Sequence, residues 1–140
     1  IGGASGTLVY NNTIYNNGGG TAGGYGIRLI ENTDATARNN ILRNNVSGAT
    51  SVSVGSTLTA SDNLTSDPIF VNAAAADFHL QSTSPAIDIG LNLSPTVVDD
   101  YDRISRPQGN AYDIGAFEFL SQPNPIASSV YSGMKSWFYR

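Results

Sequence analysis

The sequence has no cysteine, few charged residues and no long apolar run, and each absence excludes a class of protein. Without cysteine, neither disulfide bonds nor thiolate metal sites can stabilise the fold. Charged residues make up 13% of the chain, the net charge is −4 and the 7 lysine and arginine residues are scattered, which argues against nucleic acid or an anionic membrane as partner. No apolar run approaches the roughly 20 residues that a membrane-spanning helix requires.

Small polar residues are what the chain has in abundance. Asn, Gly, Ser and Thr are frequent and long helix-forming stretches are nearly absent, which is typical of a β-rich protein with many tight turns. The length of 140 residues favours one domain. The chain starts at Ile1 inside a Gly/Ser pattern and lacks the features of a signal peptide, so we expect any export signal of the parent protein to lie upstream.

An internal repeat dominates the first half of the chain. Residues 9–17, VYNNTIYNN, align with residues 37–45, ARNNILRNN, 28 positions later. A weaker third copy places Asn63 23 positions after Asn40. A repeat of this size, with short strands and Asn turns, is typical of a solenoid. Asn tolerates turn conformations and can bond an Asn in the next coil, so we predict that Asn12, Asn40 and Asn63 form a stacked ladder.

Short runs rich in β-branched and aliphatic residues lie between these turns, as expected of strands. Several of them alternate apolar and polar residues with the period of a strand. A β-sandwich is the alternative fold that periodicity alone leaves open. The side chains that we expect in the core are Val9, Ile14, Ile27, Leu29, Leu42, Val52 and Val54.

The second half of the chain carries a series of short motifs. They read DPIF at 67–70, DFHL at 77–80, SPAIDIG at 84–90, DYDR at 100–103 with Arg106-Pro107, and DIGAFEF at 113–119. This series closely resembles the C-terminal segment of bacterial right-handed parallel β-helix repeat proteins of the pectin-lyase-like superfamily, a segment described as a choice-of-anchor Q domain. Two departures are Arg103, where the family usually has Gly, and one extra residue before Arg106.

The resemblance, together with the repeat, implies an all-β fold, a right-handed parallel β-helix (solenoid) of about three coils plus a C-terminal cap. We expect coils over residues 1–66, a closing segment over 67–119 that covers the open edge of the last coil, and a linker and tail over 120–140. The tail carries an apolar stripe of Val130, Met134, Trp137 and Phe138, which we expect to pack on the solenoid, a partner surface being the alternative. The resemblance also implies an extracellular or cell-surface setting, but no single activity.

Two tyrosines and two arginines form the best candidate binding face. Arg38 and Arg43 occupy the repeat positions of Tyr10 and Tyr15. Tyrosine rings can stack on sugars and arginines can contact acidic groups, so a polysaccharide-binding face is one interpretation. An ordinary solvated flank with cation–π pairs is the other.

The carboxylates of the closing segment have two interpretations. Either Asp102 or Asp113 pairs with Arg106 and pins the loops of the cap, which we favour, or the carboxylates form a Ca²⁺ or acid/base site. We predict no catalytic residue, no metal ligand and no cofactor in this chain, with Ca²⁺ as the one alternative. His79, the only histidine, is expected to face outward from a strand.

These observations favour a non-catalytic extracellular β-helix segment that binds glycans or serves in surface display. One alternative is a fragment of a polysaccharide lyase or glycoside hydrolase whose active coils lie upstream, and another is a purely structural cap. The first coil has no cap of its own, so we also expect self-association through the open N-terminal coil.

Overall fold

The computed structural model describes residues 5–18 and 23–121. The predicted tail stripe of Val130, Met134, Trp137 and Phe138 lies outside these ranges, as does most of the expected linker and tail at 120–140. No helix within the described ranges is long and apolar enough to cross a membrane.

The described residues form nine short strands and one short 3₁₀ helix, Ala73–Ala75. The strands are β1 (Thr7–Tyr10), β2 (Thr13–Tyr15), β3 (Tyr25–Leu29), β4 (Asp34–Arg38), β5 (Ile41–Arg43), β6 (Gly48–Val52), β7 (Thr57–Ser61), β8 (Phe70–Asn72) and β9 (Asp77–Leu80).

Strands β1 to β7 form three parallel sheets that the chain visits in turn. One sheet has the order β1-β4-β7, and the others pair β2 with β5 and β3 with β6. A parallel bridge between Ile41 and Leu64 extends the second sheet by one residue. The chain therefore returns to the same sheet one level further along, and the prediction of an all-β, parallel architecture is confirmed. Strands β8 and β9 pair antiparallel in the closing segment.

The corner between the first two sheets depends on residues in the left-handed conformation. Asn11, Asn39 and Asp62 have φ values of 50°, 55° and 54°. Apart from Gly, Asn and Asp are the residues that adopt this conformation at the lowest cost. Each of them immediately precedes the residues that continue into the second sheet, so an Asn or Asp turns the chain at each of the three levels.

The main core lies between the three sheets. Its buried members are Ile27, Leu29, Ala35, Ala37 and Leu42, with Val9, Ile14, Ala49 and Leu58 packed against them. Alternation along β4 explains this placement, because Ala35 and Ala37 are buried between residues that are more exposed. Side chains from every one of the strands β1 to β7 contribute to this cluster.

Two predicted core residues, Val52 and Val54, are exposed instead. Val52 aligns with the fully buried Leu29, but no described strand pairs with the far side of β6, and the side chain is 45% exposed. Val54 is 98% exposed because it lies in a turn closed by a 3.1 Å hydrogen bond from Ser56 N–H to the Ser53 carbonyl. The alternation of apolar and polar residues continues past Val52, so it could not show that β6 ends there.

The closing segment packs on the flank of the stack and leaves Ala60 of the last level exposed. A second cluster joins Ile41, on the outer side of β5, to Phe70, Leu80, Ala86 and Ile114. Ala60, which aligns with the fully buried Ala37 one level away, is exposed. Residues 67–119 therefore contact the flank of the stack, and a role for them in covering the open edge of the last coil stays a prediction. The apolar side chains of this segment instead face Ile41 and Leu64 from the side.

Candidate functional site

The Asn repeat forms a continuous hydrogen-bonded column. Both the backbone N–H and Nδ2 of Asn12 donate to Asn40 Oδ1, at 2.9 and 3.0 Å. Asn40 donates in the same way to Asn63 Oδ1, at 2.9 and 2.8 Å. The Nδ2 groups also reach up one level, from Asn40 to the Val9 carbonyl and from Asn63 to the Ala37 carbonyl. The column satisfies buried backbone groups at each corner and is structural.

The neighbouring column, which the sequence did not single out, holds the closing segment. Asn11 Nδ2 donates to the Asp113 carbonyl at 3.0 Å. Asn39 Nδ2 donates to the Leu91 carbonyl at 2.8 Å and its Oδ1 accepts from Leu91 N–H at 2.9 Å. The Gly115 N–H donates to the Asn39 carbonyl at 2.8 Å. In the pairs Asn11-Asn12 and Asn39-Asn40, the first Asn thus binds the closing segment and the second binds the next level.

A buried ion pair joins the loops of the closing segment, but its members differ from those predicted. Arg106 Nη1 lies 2.6 Å from Glu118 Oε1, and the two side chains are 1% and 0% exposed. The remaining Arg106 donors reach the carbonyls of Asp99, Asp113 and Gly115. Asp102 and Asp113 are therefore not the carboxylate partners of Arg106.

The buried carboxylates bind backbone N–H groups. Asp113 accepts from Asp88 N–H at 2.8 Å and from Phe119 N–H at 2.5 Å. Burial raises the pKa of Asp113 to about 6, against the effect of these hydrogen bonds, and the nearby charges of Glu118 and Asp88 add to the rise. Asp100 accepts three backbone N–H groups, which come from Asp102, Ile104 and Glu118. These carboxylates brace loops, and no group of three potential ligands in the described ranges could hold a metal ion.

His79 lies on the surface between two carboxylates. Its Nδ1 is 2.6 Å from Asp77 Oδ1 and its Nε2 is 2.8 Å from Asp102 Oδ2. Partial burial lowers the pKa of His79, but the hydrogen bonds and charges of Asp102 and Asp77 outweigh it, so the pKa is raised above its usual value. The same contacts hold the pKa of Asp77 below its usual value. Since both ring nitrogens face carboxylates, neither is free to serve a nucleophile.

The four residues of the predicted binding face do not form one open surface. Tyr10 aligns with Arg38 in the first sheet, and Tyr15 aligns with Arg43 in the second. The Tyr15 ring packs against Phe70 with a centroid distance of 5.5 Å and is therefore occupied by the closing segment. Arg43 Nη1 reaches the Thr65 carbonyl at 3.4 Å. Of the four, only Tyr10 lines a groove of about 580 Å³ beside the closing segment.

This groove, of about 580 Å³, lies between the first-level corner and the closing segment. Four aromatic rings contribute to its walls, and one of them, Tyr101, is 77% exposed. The Tyr101 and Phe117 rings meet edge to face with centroids 5.4 Å apart, and His79 lies 4.2 Å from Phe117. Its aromatic members are Tyr10, Phe78, Tyr101 and Phe117, and its polar members include Asn12, Thr13, Asp99 and Asp100.

Sequence reasoning missed most of the groove because its walls come from distant parts of the chain. Asp77 and His79 are two residues apart in β9 and therefore lie on the same face of the strand. A predicted strand at this position would have indicated their contact. The approach of Asp102, 23 residues away, had no sequence signal. Tyr101 and Phe117 lie in loops that are joined by a 2.9 Å hydrogen bond from the Tyr101 N–H to the Ala116 carbonyl.

A family comparison agrees with this architecture. The family described as the right handed beta helix region matches residues 1–86, which is more than half of the chain. The chain therefore belongs to the right-handed β-helix family. Comparisons with curated proteins and with solved structures gave no significant match.

Proposed function

We propose that this chain is a non-catalytic segment of an extracellular right-handed β-helix protein, and that it binds a saccharide in the groove beside Tyr10. The segment would comprise about three coils, with residues 67–119 as a flank brace of the choice-of-anchor Q type. The observation that carries the binding proposal is a groove of about 580 Å³ lined by four aromatic rings and by polar groups.

The composition of the groove suits a sugar. Aromatic faces bind the apolar C–H faces of sugar rings, while carboxylates and amides accept or donate hydrogen bonds to hydroxyls. Tyr101 is exposed at the rim, and the Asp99 side chain is exposed beside it. Arg106 also lines the groove, but its charge is matched by Glu118. The groove therefore offers carboxylates and no uncompensated cation, which favours neutral or amino sugars over uronates.

The carboxylates of the groove favour binding over hydrolysis. A glycosidase needs two carboxyl groups that flank the scissile bond. Asp99 is exposed, but both oxygens of Asp100 already accept backbone N–H groups. A purely structural segment remains the competing function, and the Arg106–Glu118 brace is the observation that favours it.

The test is a glycan array followed by calorimetric titration of any sugar that binds, comparing the protein with Tyr101→Ala. Loss of one stacking ring should weaken binding roughly 3- to 10-fold. Val46→Ala is the matched control, because Val46 is 70% exposed and does not line the groove. Absence of binding to every neutral, amino and acidic glycan, or equal affinity in both variants, would overturn the proposal in favour of the structural role.

A further inference from the structure

Two of the three charged side chains that line the groove beside Tyr10 have partners within the protein. Arg106 Nη1 lies 2.6 Å from Glu118 Oε1, and both of these side chains are buried. The Asp100 carboxylate accepts three backbone N–H groups, at 2.8 to 2.9 Å. The third charged side chain is Asp99, so the charge that the groove offers to a ligand is a negative one at this residue.

Asp99 combines an unpartnered carboxylate with a backbone that is held in place. The residue is exposed, and no hydrogen bond or ion pair between described residues uses its carboxylate. The Asp99 carbonyl accepts from Arg106 Nε at 3.2 Å, and Asp99 forms an antiparallel bridge with Ser105. Because these contacts position the residue before a ligand arrives, binding to its carboxylate costs less ordering of the chain.

The aromatic rings of the groove add a second attraction for positive charge. Tyr101, two residues after Asp99, is 77% exposed, and its ring meets the Phe117 ring edge to face with centroids 5.4 Å apart. Tyr10 and Phe78 line the same groove. The face of an aromatic ring attracts an organic cation that lies within about 6 Å of its centre. A carboxylate and several rings in one groove therefore favour a ligand that combines an apolar surface with a positive charge.

We propose that the saccharide bound in this groove is an amino sugar, whose protonated amine pairs with Asp99 and lies against the Tyr101 ring. The inference rests on the proposed function, because it names the class of sugar that the same groove takes. A uronate would bring a second carboxylate toward Asp99, and Arg106 could not offset the repulsion since it is already paired with Glu118. A neutral or N-acetylated sugar would leave Asp99 without a counter-charge. Asp99 is therefore the residue that determines specificity.

Calorimetric titration of the full chain with two matched probes tests the proposal. The probes are a β-1,4-linked glucosamine tetramer and its fully N-acetylated form, at about pH 6, where free amines are protonated. An exposed ion pair and one cation–π contact should make the glucosamine tetramer bind roughly 3- to 30-fold more tightly. This preference should shrink at high salt, because salt screens exposed charges.

Asp99→Asn isolates the contribution of the carboxylate. It should weaken binding of the glucosamine tetramer roughly 1.5- to 5-fold and leave the affinity for the N-acetylated tetramer unchanged. Glu31→Gln is the matched control, because it removes the same charge from an exposed residue that does not line the groove. Thermal denaturation verifies that both variants are folded.

The outcomes separate this inference from the function on which it rests. Equal affinities of the wild-type chain for the two tetramers would overturn the amino-sugar assignment and leave a saccharide site in place. Failure of every glycan to bind would overturn both. A preference for the glucosamine tetramer that Asp99→Asn retains in full would contradict the role of Asp99. So would a pentalysine peptide that binds as tightly as the glucosamine tetramer, since the groove would then select charge without a sugar.

Discussion

At the scale of single residues, His79 links two parts of the closing segment through its ring nitrogens. Asp77 is in β9 and Asp102 is in a loop 23 residues away. The imidazolium can donate to both carboxylates at once, whereas the neutral ring has a single N–H and can donate to only one. The contact therefore favours the charged form, and the loop is held most firmly when His79 is protonated.

We expect the pKa of His79 to lie above 6.5 and to fall when Asp102 is replaced by Asn. Because the folded-state pKa is raised, the stabilisation is fully present below pH 6.5 and is lost as pH rises through the folded-state pKa. An NMR titration of the His79 ring measures this directly, since the chain has one histidine. Asp99→Asn, a nearby exposed carboxylate without a contact to the ring, should leave the titration unchanged. A pKa below 6.5 in the wild type would contradict the assignment.

The Arg106–Glu118 pair is the most buried charge interaction in the described ranges. Glu118→Gln retains the shape but leaves the guanidinium without its counter-charge, and we expect it to lower the free energy of unfolding by about 3–5 kcal/mol. Urea denaturation measures the loss. Glu31→Gln is the matched control, because Glu31 is exposed and forms no ion pair in the described ranges. A change below about 0.5 kcal/mol for Glu118→Gln would show that the pair is dispensable.

At the scale of the elements, the repeat spacing was enough to identify the column of Asn12, Asn40 and Asn63, because a stacked turn brings equivalent residues together at every level. The spacing could not reveal that the preceding residues, Asn11 and Asn39, bind the closing segment. Both columns have the same repeat, and only the position of residues 86–115 distinguishes them. The exposure of Val52 could not be predicted for a related reason. It results from the lack of a described strand beside β6 and not from the sequence of β6 itself.

The column predicts an asymmetric response to Ala substitution. Asn40→Ala removes hydrogen bonds to the levels on both sides of a buried position, so we expect a loss of about 2–4 kcal/mol in the free energy of unfolding. Asn12→Ala removes contacts at an exposed end and should cost less than about 1 kcal/mol. Thermal denaturation of the two variants provides the comparison. Equal losses would mean that the levels do not depend on the column.

At the scale of the whole molecule, the stack and the closing segment share one interface along the flank. Gly115 lies at its centre, and its N–H donates to the Asn39 carbonyl. An added Cβ there would lie 2.5 Å from Ile41 Cδ1 and 3.0 Å from Thr13 Oγ1. These neighbours belong to two levels of the stack, so a substituent at this position must displace the buried Ile41 side chain or push the closing segment away.

We therefore expect Gly115→Ala to lower the free energy of unfolding by more than the strained backbone conformation of an Ala at this position would explain. Gly48→Ala is the matched control, because Gly48 has φ of 117° against 101° for Gly115, but no atom lies within 4 Å of its added Cβ. Both variants bear the cost of a left-handed Ala, of about 1–2 kcal/mol. Gly115→Ala should add about 1–3 kcal/mol of overpacking. Hydrogen exchange should show the excess on both sides of the interface, in the amide of Ile41, which donates to the Asn12 carbonyl in the stack, and in the amide of Ile114, which donates to the Ala86 carbonyl in the closing segment. Equal losses in the two variants, or faster exchange at Ile114 alone, would mean that the flank segment is an appendage that does not stabilise the stack.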